Sequence, residues 1–189
     1  MKAPGWIPIV VSPISNKKER IFYQRELKIK PHMIPEISQF DSSIYIDGNV
    51  TLNWSNFEPY INSCVDLVCF SNPWWDNVEQ EFANLLRLTD PKRRKPLEVN
   101  KLWCTPKEVN AAAKLANFDM SCTETNALFR THTQQMLQFA DDWYNQMKIS
   151  GCHRDQTIFD TALSRHKIQF HKIGRAHRAS LIKVRSHGK

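Results

Sequence analysis

The sequence predicts an α/β fold, and three stretches predict it. Ser42 to Leu52 is a run of strand-forming residues in which Ile44 and Ile46 alternate with Ser43 and Tyr45, giving one apolar face and placing Asp47 at the carboxyl end. Val65 to Phe70 is a compact apolar run of strand length, broken by Asn72-Pro73 before a segment of helical periodicity begins. Thr133 to Lys148 carries Met136, Leu137, Ala140, Trp143, Tyr144 and Met147 on one helical stripe, which reads as core.

Composition sets the frame. A chain of 189 residues suits one domain and buries roughly 70% of its unfolded surface, so it needs no disulfide or metal to fold. Ten Phe and six Trp supply the aromatic core. The five cysteines, Cys64, Cys69, Cys104, Cys122 and Cys152, are odd in number and lack CxxC spacing. That argues against a disulfide framework or a zinc knuckle and for buried free thiols in a reducing compartment. No signal-like or membrane-spanning apolar run occurs, so a cytoplasmic location is expected. The net charge of +7 is concentrated from Arg165 to Lys189, which holds eight Lys/Arg and no acidic residue. Such a tail attracts phosphate, a nucleotide, a nucleic acid or an anionic membrane surface, or serves solubility alone.

In chain order, Trp6 to Val11 reads as a short strand that Pro8 confines to an edge or a strand start. Lys17 to Ile29 reads as a helix with a basic face that includes Arg25 and Lys28, ending before Pro31. After the strand at Val65 to Phe70, Asp76 is expected to cap a helix with Val78, Phe82, Leu85 and Leu86 on its apolar side. Trp74 and Trp75 are expected to pack at its start as core aromatics, with sugar stacking as the alternative. Asp90 to Pro96 is a basic loop between prolines. Thr105-Pro106-Lys107-Glu108 is a capping box opening a helix to about Asn117. Thr125 to Arg130 reads as a strand, and Gly151 closes the long helix that follows it. His153-Arg154-Asp155-Gln156 opens another helix, with Ile158, Phe159, Ala162 and Leu163 on its buried side, and Ile168 to His171 reads as a last short strand. Residues 1–164 thus form an α/β domain, and 165–189 its last strand and basic tail.

Two constellations carry chemistry. Asp47-Gly48-Asn49 presents oxygen atoms on either side of a glycine at a strand's carboxyl end, the edge at which open α/β sheets hold ligands, and hard oxygen donors suit Mg²⁺ or Mn²⁺. The same Asp-Gly flanked by apolar alternation is also a strong β-hairpin signal, so a hairpin stands as the alternative. At His153 to Gln156, Arg154 and free backbone N–H groups favour an anion while Asp155 is held ionised. No phosphate loop, GxGxxG, helix-turn-helix, RRM or zinc-finger motif occurs, so nucleic-acid recognition is not expected.

The order of these signals resembles a known family. Arg25-Glu26-Leu27-Lys28, Pro31-His32, Phe40 to Asn49, Glu124 to Arg130, Trp143 and Arg154-Asp155-Gln156 are similar to the glycosyltransferase-like family that includes the plant mucilage and pollen-tube turgor-regulation proteins and bacterial and viral relatives. The resemblance runs from about Trp6 to about Leu163. It implies a glycosyltransferase A (GT-A) type fold, a Rossmann-like αβα sandwich with a mixed sheet, that uses a nucleotide-diphosphate sugar and Mn²⁺ or Mg²⁺. It implies that Asp47 and Asn49 hold the metal, that Arg25, Lys28, Asp47 and Arg154 bind the donor, and that Asp155 and Gln156 face the sugar or acceptor as catalytic residues. His171-X-X-Gly174-X-X-His177 is similar to the ending of some retaining glycosyltransferases, which makes His171 a further metal ligand. Relative to that family the chain begins at the second element, and Asn72-Pro73 stands where His-Pro is expected.

The expected function is therefore a glycosyltransferase of polysaccharide biosynthesis, moving a sugar to a glycan or lipid-linked acceptor, with peripheral membrane contact through the basic tail. The alternative is a non-catalytic module or inactive relative acting through that tail. A hydrolase using Asp47 and Asp155 as acid and base is a third reading.

Overall fold

A computed structural model of the chain describes residues 13–62, 65–93 and 104–185. The strand expected at Trp6 to Val11, Cys64, and Arg94 to Pro96 of the basic loop lie outside them. Helix α1 (Lys17–Ile29) starts at Asn16, whose side-chain oxygen accepts from the N–H groups of Lys18 and Glu19. Pro31 stops it, opening a 3₁₀ turn at Pro31–Met33 that leads to the short α2 (Pro35–Ser38).

The chain then forms β1 (Ser42–Ile46), turns through Asp47-Gly48-Asn49, and enters β2 (Val50–Leu52). These two strands do not pair with each other. β1 pairs antiparallel with β4 (Thr123–Thr131), whereas β2 pairs antiparallel with β6 (Ile182–Val184). The hairpin alternative is thus not formed, and the Asp-Gly-Asn turn carries the chain from one sheet into another.

The main sheet has the order β1-β4-β3-β5, with β3 at Leu67–Ser71 and β5 at Phe170–Ile173. β4 is antiparallel to both β1 and β3, and β3 is parallel to β5. β1, β3 and β5 therefore share one direction, and β4 alone opposes them. Their carboxyl ends gather at one edge, where Asp47 follows β1, Asn72 follows β3 and Gly174 follows β5.

Alternation along the strands sends side chains to two cores. Leu67 and Cys69 of β3 and Leu128 of β4 meet α4 (Val78–Thr89), α5 (Pro106–Ala113), α6 (Gln134–Ser150) and α7 (Gln156–Arg165) on one face. Val68, Phe70, Ala127 and Phe129 face the other way, onto Phe57 of α3 (Trp54–Ile61), Leu181 of α8 (Arg175–Leu181) and Ile182 of β6. The result is a mixed α/β fold with its mixed sheet covered on both faces.

Several local expectations change. Asn77, not Asp76, caps α4: its side chain accepts from the Gln80 N–H at 3.0 Å, while the Asp76 N–H donates to Gln80 Oε1 and the Asp76 carboxylate pairs with Arg175. Leu86 is exposed and Leu88 buried, and Glu81, also buried, pairs with Arg154 from the same helix face. Trp74 is 68% exposed and not a core aromatic. Buried Asn72 accepts from the backbone N–H groups of Trp74 and Trp75, fixing a turn that leaves the Trp74 ring in solvent. Residues 165–185 of the expected basic tail are folded. They include α8 and β6, and Lys172, Arg175 and Arg178 engage Asp160, Asp76 and Glu124. No described helix is long and apolar enough to cross a membrane.

The capping box at Thr105 and Glu108 forms, and Glu108 also pairs with Lys18. Gly151 ends α6 at φ +71°, and a Cβ there would lie 3.3 Å from Glu108 Cγ. Gly151→Ala is expected to cost about 1–2 kcal/mol from the left-handed backbone alone, more because Glu108 is tied on two sides. Thermal unfolding that left Gly151→Ala unchanged would refute this.

Candidate functional site

The site is a cleft of about 1060 Å³ where α1, the turn after it, β1 and the Asp47-Gly48-Asn49 turn meet. Helical spacing sets Arg25 and Lys28, three residues apart, on the α1 face that lines it. Strand spacing does the same for Tyr45 and Asp47, which share a face because they are two residues apart. The Tyr45 hydroxyl donates to Asp47 Oδ1 at 2.5 Å, and the Lys28 ammonium lies 5.0 Å from the Tyr45 ring centroid. Burial, and then the bond to Asp47, push the Tyr45 phenol above its ordinary range, so it remains a donor at neutral pH. The turn is anchored at both ends. The Asp47 N–H donates to the Asn126 carbonyl, and the Asn49 side-chain amide donates to the Arg185 carbonyl just past β6.

Beneath the cleft lies a buried charge cluster. Asp155 is 4% exposed and Lys28 3%; the ammonium sits 2.5 Å from Asp155 Oδ2, and Arg25 Nε is 3.3 Å from Oδ1. Lys28 donates to Thr125 Oγ1, whose hydroxyl donates in turn to Asp155 Oδ2. Burial works to raise the Asp155 pKa, but Lys28 and then Arg25 outweigh it and hold the carboxyl well below the usual carboxylate range. Thr125 reaches this position at an irregularity in the sheet. Val68 is opposite Phe129 but Phe70 is opposite Glu124, so β4 bulges where it passes the cluster.

The structure therefore brings together Arg25, Lys28, Asp47, Asn49 and Arg154 along one cleft, with Asp155 under it. Gln156 begins α7 and accepts from Arg154 Nη2 at 3.1 Å, while the same nitrogen donates to Glu81. Asp155 is 4% exposed and serves as the counter-ion of Lys28 and Arg25.

His171 does not join the site. It lies in β5 opposite Val68, in the sheet row that runs through Phe129 to Ile44, and its ring packs 5.1 Å from Tyr60. Three strand spacings put that position about 14 Å from β1. Among the described residues no group of three or more His, Cys, Asp or Glu is placed to hold a metal.

Sequence reasoning missed Tyr45, Thr125, Arg130 and Arg185. Period 2 ahead of Asp47 signals Tyr45, and Arg130 stands out as a charge closing an apolar strand. Among the described residues no carboxylate pairs with the buried Arg130; it donates to Ser43 Oγ and the Ile29 carbonyl, and burial lowers its pKa to about 10, still charged at neutral pH. Thr125 depends on the bulge and Arg185 on the β2–β6 pairing, and neither has a local signature. In all, Arg25, Lys28, Arg130, Arg154 and Arg185 face three carboxylates, Asp47, Asp155 and Glu81, so the cleft keeps a positive excess suited to a polyanion. No family model, curated protein or solved structure matches the chain.

Proposed function

We propose that the chain is a metal-dependent glycosyltransferase of the GT-A type, transferring a sugar from a nucleotide-diphosphate donor to a glycan or lipid-linked acceptor. The observation that carries this reading is the placing of Asp47-Gly48-Asn49 at the carboxyl end of β1, across a cleft lined by five basic side chains. A diphosphate meets complementary charge there. The donor set fits an ion that arrives with its substrate: Asp47 gives one carboxylate and Asn49 an amide, and Mg²⁺ commonly binds through one or two carboxylates plus substrate phosphates. Bound in this way, a divalent ion would supply positive charge to the departing diphosphate.

The chain's own residues add to that stabilisation. Arg154, held by Glu81 and Gln156, and the exposed Arg185 line the cleft as cations, and Asp155 preorganises Lys28 and Arg25 so that little reorganisation is needed as charge develops on the leaving group. Tyr45 orients Asp47 through its hydroxyl.

Calorimetric titration with UDP and GDP, with and without Mn²⁺, tests the proposal. Wild type is expected to bind at least one of them more tightly with Mn²⁺, and Asp47→Ala to lose that metal-dependent gain, about tenfold or more. Failure of folded wild type to bind either nucleotide would sink it. A second reading, a non-catalytic anion-binding module, is favoured by the distance of His171 and the burial of Asp155; metal-independent binding that survives Asp47→Ala would select it. Peripheral contact with a lipid-linked acceptor rests on Lys183 and Arg185 at the end of the basic segment, and liposome cosedimentation tests it.

A further inference from the structure

Outside the cleft, two thiols and an imidazole meet at a place the proposed reaction does not use. Cys104 immediately precedes Thr105, the N-cap of α5, and Cys152 immediately follows Gly151, the left-handed C-cap of α6. Gly151 packs on Glu108 of α5, so the two caps are brought face to face. The sulfur atoms are 2.8 Å apart, and Cys104 Sγ is 3.5 Å from His153 Nδ1. Cys104 is 3% exposed and Cys152 1%.

The other described cysteines provide the contrast. Burial pushes the thiols of Cys69 and Cys122 up to about 12, the inert state of a core cysteine. Cys104 moves the other way, to about 5, first through its hydrogen bond with Cys152 and then, against burial, through His153. Cys152 is raised by the same bond. The two sulfurs are close enough to share one proton, and His153 stands beside Cys104, which marks Cys104 as the sulfur better placed to carry the negative charge.

We propose that Cys104 and Cys152 form a reversible dithiol–disulfide site for hydrogen peroxide, with Cys104 the attacking sulfur and Cys152 the resolving one. The Cys104 sulfur attacks one peroxide oxygen and the O–O bond breaks. Hydroxide departs, takes up the proton that Cys104 released, and leaves as water, with Cys104 oxidised to the sulfenic acid. The Cys152 sulfur then attacks Cys104 Sγ, forming the S–S bond, and the sulfenic oxygen departs as a second water with the Cys152 proton. One peroxide is reduced to two waters as two thiols become a disulfide, and an added dithiol reverses the oxidation by exchange. Peroxide is close to water in size, which suits a site this enclosed. The bond would tie the start of α5 to the segment Cys152 to Asp155 that carries Arg154 and Asp155 to the cleft.

The full chain, treated with hydrogen peroxide at neutral pH, is expected to lose two hydrogen atoms in mass and, after alkylation of the remaining thiols and digestion, to yield a Cys104–Cys152 linked peptide. Dithiothreitol should restore the mass. Closing that loop should raise the unfolding temperature by about 10 °C. In Cys152→Ser the linked peptide is expected to vanish and a sulfenic acid to be trapped at Cys104 by dimedone; in Cys104→Ser neither product forms at the same dose. The proposal is overturned if wild type gives no linked peptide, or if Cys69 or Cys122 oxidises as fast as Cys104. Both results come from wild type alone, so they hold even if a serine variant fails to fold.

Discussion

Asp155→Asn is expected to lower the unfolding free energy by about 3–5 kcal/mol, the usual cost of removing one partner from a buried ion pair, and the unfolding temperature by about 10 °C. Asparagine keeps the size and can still accept from Thr125, so the loss isolates charge. What remains is the Lys28 ammonium, 3% exposed, without the carboxylate that made its 2.5 Å contact. Arg25 has a way out, since its side chain is partly exposed; Arg25→Gln should therefore cost far less than Asp155→Asn. The pH dependence follows from the sign of the Asp155 shift. Its folded pKa lies below the unfolded value of about 3.9, so its stabilisation is fully present above that value and is lost as pH falls through the folded pKa. The gap between wild type and Asp155→Asn should be constant from weakly acidic to neutral pH and close only in strong acid. Lys28→Met combined with Asp155→Leu should recover much of the stability, because two apolar groups replace a pair that burial penalises. Urea unfolding in which Asp155→Asn cost less than about 1 kcal/mol would show that the pair is not the keystone proposed for the cleft.

How much of this was readable beforehand depends on how local each signal is. Helix α1 runs over Lys17–Ile29 as expected, because Asn16 and Pro31 mark its ends within the sequence itself. Asp47 at the end of β1 follows from the alternation of Ile44 and Ile46, and the apolar stripe of α6 from its period. The failures are non-local. Asp-Gly-Asn is locally equivalent to a hairpin turn, and only the competition between partners, β4 for β1 and β6 for β2, decides against it. The folded carboxyl-terminal segment was hidden by its charge. Its cations are satisfied by Asp160, Asp76 and Glu124, residues far away in sequence, so a run without internal acids read as a tail. Asp155 was recognisable as ionised, but its burial beneath Lys28 and Thr125 was not, because that depends on a bulge between β3 and β4.

Trp143→Ala tests how far the core and the cleft are one structure. The indole is buried between Phe139, with ring centroids 5.8 Å apart, and Phe159 at 4.8 Å edge-on, and its Nε1–H donates to the Asp155 carbonyl at 2.8 Å. Removing it leaves a cavity and a buried acceptor, an expected loss of about 3–5 kcal/mol from the cavity alone and about 1–3 more for the orphaned carbonyl. Trp143→Phe separates the two effects: it keeps an aromatic ring against Phe159 but not the hydrogen bond, and should cost about 1–3 kcal/mol. The carbonyl it releases belongs to the residue that holds Lys28 and Arg25, so the Phe variant should also weaken nucleotide binding, while a core change at Met147, which makes no such bond, should not. Calorimetry and urea unfolding on the same variants decide it. If Trp143→Phe loses stability without losing affinity, the indole serves the core only, and the order of the cleft must come from Thr125 and the β4 bulge instead.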